Sequence, residues 1–299
     1  MTHFYGFGFE GQSNPDGWRA DPGALRTYPN ATDQLIPMNC NGTGFETQAG
    51  WGGTAGVTYN VNTPYTSIIP LQPEVNTDGS SGTEWTGGGI TIPAGSYSHG
   101  YGPEISCARA LHRDDYRVAV MKRAVGGTGL GPTPSSPYYH SPQAPSEESY
   151  LLDDDGNTPG RQGRNYWAAM QRAEGMAATL EGLGHSLSWA GWVYWQGEND
   201  AADATSAAEY AFHLSRKIRF TRARLGVNMP WVIVLTRSGG FQQEVRDAQI
   251  EVARSVPGVR TYDPLGLPLY TDNIHYWQDA HVTSGNDIAA IFQEMGVGA

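Results

Sequence analysis

The chain has 299 residues and a formal net charge of −11, with 39% hydrophobic and 16% charged residues. The length fits one large α/β domain, or one domain carrying a sizeable insertion, and the composition supports a buried core and excludes wholesale disorder. An acidic surface repels phosphate backbones, and no run of about 18 apolar residues is present, so neither nucleic acid nor a membrane is an expected partner.

The start, Met1-Thr2-His3, lacks the basic opening and apolar stretch of a signal peptide. Cytoplasmic, virion-associated and secreted (leader removed) locations all stay open. Cys40 and Cys107 are the only cysteines; they cannot build a cysteine-based zinc site, and they allow one disulfide without requiring it. The 39 Gly and 19 Pro predict many turns and long loops.

In chain order, Phe4 to Phe9 alternates aromatic residues with Gly and reads as a short strand feeding the loop Glu10-Gly11-Gln12-Ser13-Asn14. Residues 18–100 show little helical periodicity; Gly clusters there predict turns and short β segments, part of them lying over a pocket. A helix begins near Gly102-Pro103, with Ile105, Ala108, Leu111 and His112 at helical spacing. Arg117–Met121 is a β run, and 132–163 a long loop. Tyr166 to Leu183 carries one apolar helix face closed by Gly184, and Leu187–Trp195 is strand-like. Tyr210 to Leu225 marks another helix, Trp231–Leu235 a strand buried on both faces, and Phe241 to Ala253 a third helix. Val259–Tyr262 is a strand, and Ile288, Ile291, Phe292 and Met295 end the chain on a helix. The alternation predicts a single domain over 1–299, a three-layer α/β/α sandwich around a parallel sheet, with functional loops beyond the carboxyl ends of the strands.

Four segments carry chemistry. Ser13 follows the first strand in a tight turn, where a hydroxyl is exposed to a neighbouring base. Asp272-Asn273-Ile274-His275 places a carboxylate three residues before an imidazole, a spacing that lets the Asp fix one ring nitrogen while the other faces Ser13. His281 competes, but has no carboxylate three residues before it. Trp195-Gln196-Gly197-Glu198-Asn199-Asp200 offers strand-end amides to an oxyanion, or alternatively a helix cap at Asn199 or Asp200. Gly102, ahead of a helix, offers a free backbone N–H, or serves as a routine cap.

Together these segments resemble the SGNH hydrolases: an N-terminal Ser block, a Gly block, a Gly-x-Asn-Asp block and a C-terminal Asp-x-x-His. The finer likeness is to the sialate O-acetylesterase-like branch of the carbohydrate esterases, which includes acetylxylan esterases. It rests on Gly11-Gln12-Ser13-Asn14, Gly102-Pro103-Glu104, Gly126-Gly127-Thr128, Trp195-Gln196-Gly197-Glu198, Val245-Arg246-x-Ala248-Gln249 and Asp272-x-x-His275. The resemblance implies Ser13 as nucleophile, His275 as base and Asp272 as its orienting acid. It also implies an oxyanion hole from the N–H groups of Ser13 and Gly102 plus the amide of Gln196 or Asn199, substrate contacts from Gln12, Asn14 and Glu198, and no metal or organic cofactor. The chain departs from the branch at Pro15, where Met is usual.

The implied activity is removal of O-acetyl groups from an acetylated polysaccharide or sialic acid, the carbohydrate being the expected partner. The alternative is a carbohydrate-binding or structural module, for example of a phage tail or surface assembly, with vestigial catalysis. Asp153-Asp154-Asp155-Gly156-Asn157 lacks the full spacing of a calcium loop and reads as an acidic turn. Trp51, Trp85, Tyr97, Tyr101, Tyr138 and Tyr139 are candidates for stacking on sugar rings.

Overall fold

The computed structural model describes residues 1–16, 32, 35–39, 69–71, 85–87, 90–92, 101–124, 128–130, 164–237 and 241–298. The strands are β1 (His3–Gly11), β2 (Pro37–Asn39), β3 (Ile69–Pro70), β4 (Trp85–Gly87), β5 (Ile90–Ile92), β6 (Val118–Ala124), β7 (Ser186–Trp195), β8 (Trp231–Val234) and β9 (Val259–Tyr262). The helices are α1 (Ser13–Asp16), α2 (Glu104–Leu111), α3 (Arg164–Gly182), α4 (Ala204–Leu225), α5 (Phe241–Ser255) and α6 (Gln278–Glu294).

The central sheet runs β3-β2-β6-β1-β7-β8-β9. Six of these strands are parallel, and β3 is an antiparallel edge beside β2. Alternation along β7 shows why helices cover both faces. Val193 and Trp195 enter one core with residues of α2 and α6, while Trp192 and Tyr194 enter the other with residues of α3, α4 and α5. The WVIV run of β8 is wholly buried and divides in the same way. The alternation of aromatic residues and Gly in β1 also has a packing cause. A Cβ on Gly8 would lie 2.3 Å from the Trp192 indole, so the ring fills the space the glycine leaves.

From β1 at the centre the chain winds outward through β2 and back through β6, then out the other way through β7, β8 and β9. The winding therefore reverses around β1, between β6 and β7, and in open α/β sheets the carboxyl ends of the strands at such a reversal are where ligands bind.

Three findings differ from the sequence reading. Strand β2, in a stretch that reads only as turns and short β segments, belongs to the central sheet, paired with β6. Helix α6 begins at Gln278, well before the apolar spacing sets in at Ile288, because His281, Ser284 and Gly285 occupy its buried face. Tyr101 is 1% exposed and donates to the Gln278 carbonyl at 3.4 Å, so it packs in the core and offers no ring to a sugar. Cys107 is a buried free thiol in α2. Cys40, Trp51, Tyr97, Tyr138, Tyr139 and the Asp153–Asn157 segment lie outside the described residues, and of Trp85 only the backbone is described. No described helix is long and apolar enough to cross a membrane.

Candidate active site

Strand β1 ends against β7 at a point where only glycine fits: a Cβ on Gly11 would lie 2.0 Å from the Trp195 carbonyl oxygen. The next residue, Gln12, donates its N–H to that same oxygen at 3.2 Å. The chain then turns into α1, and Ser13 stands at its first position, 8% exposed. As the first helical residue, Ser13 has an N–H with no partner inside the helix.

The second half of the site comes from the loop between β9 and α6. His275 Nε2 lies 2.8 Å from Ser13 Oγ, and His275 Nδ1 lies 2.8 Å from Asp272 Oδ2. The other carboxylate oxygen, Oδ1, accepts the N–H groups of Ile274 and His275 at 2.9 and 3.0 Å. Partial burial pushes the Asp272 carboxyl up. Those two N–H groups and the imidazole outweigh it and hold the pKa down, at about 2. Asn273, between them, has φ +57°, a left-handed turn that Asn tolerates better than most residues, and Arg237 donates to its carbonyl. The competitor His281 is wholly buried in α6 against Trp195, with ring centroids 5.6 Å apart.

Asn14 ties the two halves together. It is wholly buried; its Nδ2 donates to Glu198 Oε1 at 3.0 Å and to the Ile274 carbonyl at 3.4 Å, and its Oδ1 accepts the Tyr276 N–H at 3.1 Å. Expected as a substrate contact, its side chain is instead spent between protein groups. Burial raises the Glu198 carboxyl, the Asn14 amide opposing it.

The expected oxyanion donors are arranged differently from one another. The Gly102 N–H, expected to be free, donates to Glu104 Oε1 at 3.1 Å, because that buried carboxylate folds back over the helix start and also meets Lys122 Nζ at 3.1 Å. Gly102 nonetheless lies at the nucleophile turn: a Cβ on it would sit 2.3 Å from the Pro15 carbonyl oxygen. Gln196 is wholly buried, with its Nε2 directed to Asp200, to the Thr128 carbonyl at 3.1 Å and to Gln12 Oε1 at 3.4 Å. Its Oε1 accepts the Tyr194 hydroxyl at 3.2 Å, and the Tyr210 hydroxyl oxygen lies 3.1 Å from it. Asn199 is 8% exposed, and its N–H donates to Gln12 Oε1 at 3.4 Å. Neither Asn199 nor Asp200 caps a helix through its side chain; Asp203 caps α4, accepting from the Ser206 N–H at 2.8 Å.

The sequence motifs named Asp200 and Gln249 without a role, and Tyr210 only as part of an apolar helix face; the structure shows them as supports beneath this floor. Gln249 on α5 donates to the Gln196 carbonyl at 2.9 Å and accepts the Thr236 N–H at 2.9 Å, joining the ends of β7 and β8. Tyr210 on α4 donates to the Gln196 carbonyl at 2.7 Å, and Asp200 accepts the Leu130 N–H at 2.9 Å.

A parallel sheet with helices on both faces and a Ser-His-Asp line at its carboxyl edge is the arrangement of an SGNH-type hydrolase. The family model described as "Carbohydrate esterase, sialic acid-specific acetylesterase" matches residues 90–294. The chain belongs to this family, one of carboxylic ester hydrolases. A protein of Arabidopsis thaliana named "Probable carbohydrate esterase" is 31% identical over 102 residues, which span 33% of this chain and 38% of that relative. The crystal structure of the same Arabidopsis protein aligns over 97% of this chain and 98% of its own, with TM-score 0.56 and 19% identity. That of NanS aligns over 99% of both chains, with TM-score 0.62 and 15% identity. At such identities the two structures establish the fold.

Proposed function

We propose that this protein is a serine esterase that removes O-acetyl groups from a carbohydrate. His275 Nε2 takes the proton of Ser13 Oγ, which attacks the acetyl carbonyl carbon. Asp272 keeps the imidazole in the tautomer that makes this transfer useful and stabilises the imidazolium that follows. The tetrahedral oxyanion is received by donors around Ser13, among them its own N–H; the Gly102 N–H joins them only if Glu104 releases it. The imidazolium returns the proton to the sugar oxygen, which leaves as an alcohol. Water, deprotonated by His275, then attacks the acetyl-serine, and acetate departs with Ser13 restored.

The observation that carries this reading is the unbroken hydrogen-bonded line from Asp272 through His275 to Ser13, with both links at 2.8 Å. The family description supports an acetylated carbohydrate, a sialic acid among the candidates, as the substrate. The test is acetate release from acetylated polysaccharides, O-acetyl sialic acids and a small aryl acetate. Wild type should turn over at least one of these, and Ser13→Ala should lose at least about 1,000-fold in kcat. A Ser13→Ala protein with wild-type turnover would end the assignment.

A further inference from the structure

We propose that Trp277, steadied by Tyr270, is the platform on which the sugar ring bearing the acetyl ester stacks, on the leaving-group side of the active site. This rests on the serine-esterase reading and adds to it the subsite that recognises the carbohydrate.

Residues 268–277 fold into a hairpin that carries Asp272 in its turn. Leu269 and Tyr276 form an antiparallel bridge. On either side of it, the Tyr270 N–H donates to the His275 carbonyl at 2.7 Å and the Trp277 N–H to the Pro268 carbonyl at 3.0 Å. Residues opposite one another in such a ladder share a face, and successive residues alternate between faces. Leu269 and Tyr276 therefore lie on one face, and Tyr270, His275 and Trp277 on the other. The packing agrees. Tyr276 is buried in the core and Leu269 packs against that core. The rings of Tyr270 and Trp277 meet edge to face, with centroids 5.0 Å apart, as two side chains on one face can. Trp277 itself is extended, at φ −63° and ψ 156°, so the alternation holds through it. The face these rings share is the one that meets the nucleophile, since His275 Nε2 lies 2.8 Å from Ser13 Oγ.

The reaction decides which part of the substrate lies there. His275 must return its proton to the departing sugar oxygen, so the sugar sits against the imidazole. Two residues of extended chain span about 7 Å, a distance that one sugar ring and its ester linkage bridge. Trp277 is 39% exposed, one of the few large apolar side chains left in water. An indole already held by a second ring loses little freedom when a ligand covers it. The C–H face of a pyranose sheds water on meeting it, while the sugar hydroxyls stay at the rim.

The experiment compares acetate release from acetylated xylo-oligosaccharide and from O-acetyl sialic acid with release from ethyl acetate, an ester without a ring. The proteins are wild type, Trp277→Ala, Trp277→Phe and Tyr270→Leu, with Trp277→Leu in place of the alanine variant if that does not fold. For each sugar that wild type hydrolyses, the ratio of its kcat/KM to that of ethyl acetate should fall about tenfold in Trp277→Ala, mostly through KM. Trp277→Phe keeps a flat face and should recover part of the loss; Tyr270→Leu should show a smaller fall in the same ratio. A folded Trp277→Ala whose ratio stays within about twofold of wild type, or a Trp277→Phe no better than it, would overturn the platform, and an unchanged ratio in Tyr270→Leu would remove Tyr270 from it. The serine-esterase reading fails separately, if wild type releases no acetate from any of the three esters. Release from ethyl acetate alone would end the carbohydrate reading and this subsite with it.

Discussion

The carboxamide of Asn14, one residue after the proposed nucleophile, accepts the backbone N–H of Tyr276, one residue after the proposed base, at 3.1 Å. A buried side chain thus sets the separation of two segments that meet only in the fold. Asn14→Asp keeps the acceptor but places a carboxyl against Glu198, while Asn14→Ala removes the tie. Both should lower kcat about 10- to 100-fold, since a misplacement of about 1 Å at a reacting pair can cost that much. Asn14→Ala should also lose about 1–3 kcal/mol of stability from the Tyr276 N–H and Glu198 left unpaired. Kinetics and urea denaturation measure the two effects. Wild-type kcat in Asn14→Ala would show that the loop holds itself.

Asp272, with its carboxyl at about pKa 2, remains a carboxylate at any pH where the protein is assayed. Its folded pKa lies below the ordinary value of about 3.9, so its contribution to stability is present above that value and is lost only as pH falls towards 2. An acid limb in the kcat profile above pH ~4 must then come from another group. Asp272→Asn removes the charge while retaining the shape. It should cost about 1,000- to 10,000-fold in kcat through the wrong imidazole tautomer, and the stability that the carboxylate contributes above pH ~4 should be lost with it. A loss of less than about tenfold would mean that the ring needs no carboxylate to orient it.

The parts of this fold legible in the sequence are those with a short period. The alternation in β1, the apolar run of β8 and the Tyr166, Tyr210 and Phe241 helices fall where the structure has them, because burial imposes its pattern locally. The long final helix was legible only in its second half, since the buried positions His281, Ser284 and Gly285 look polar or neutral when read one at a time. Three-residue strand β2 is too short to show any period, and only its pairing with β6 reveals it. At the site, the motifs singled out Ser13, Asp272 and His275, which do meet. What no motif could give was the direction of each amide. Whether Asn14 faces substrate or Tyr276, and whether Gln196 is spent or available, depends on neighbours brought from distant strands.

Beneath β1, Glu10 and Lys217 form a wholly buried ion pair at 2.9 Å, and Trp192 Nε1 donates to the second Glu10 oxygen at 2.7 Å. The Lys217 ammonium also lies over the rings of Tyr166 and Tyr194, at 5.1 and 5.3 Å from their centroids. Burial raises the Glu10 carboxyl and lowers the Lys217 ammonium, so each charge depends on the other. Lys217→Met should cost about 3–5 kcal/mol by leaving the carboxylate unpaired. The double variant Glu10→Gln, Lys217→Met should recover much of that loss. Urea unfolding of the single and double variants measures the coupling, and purely additive losses would contradict it.

His281 gives the fold a dependence on pH separate from that of the active site. Burial, then the positive charge of Lys122 and the nearby His275, push its pKa down to about 3, against about 6.5 in an unfolded chain. Between those values the unfolded state binds a proton that the native state refuses. Stability is therefore fully present above pH ~6.5, and it falls on acidification by up to about 1.4 kcal/mol per unit until pH nears 3. His281→Phe suits the aromatic surroundings of Trp195 and Tyr101 and cannot titrate. Urea unfolding at several pH values between about 7 and 4 should give this variant a shallower decline than wild type, the difference in slope approaching that of one proton. Equal slopes in the two proteins, or a wild-type His281 ring resonance that titrates near pH ~6.5, would mean that the imidazole is charged inside the fold.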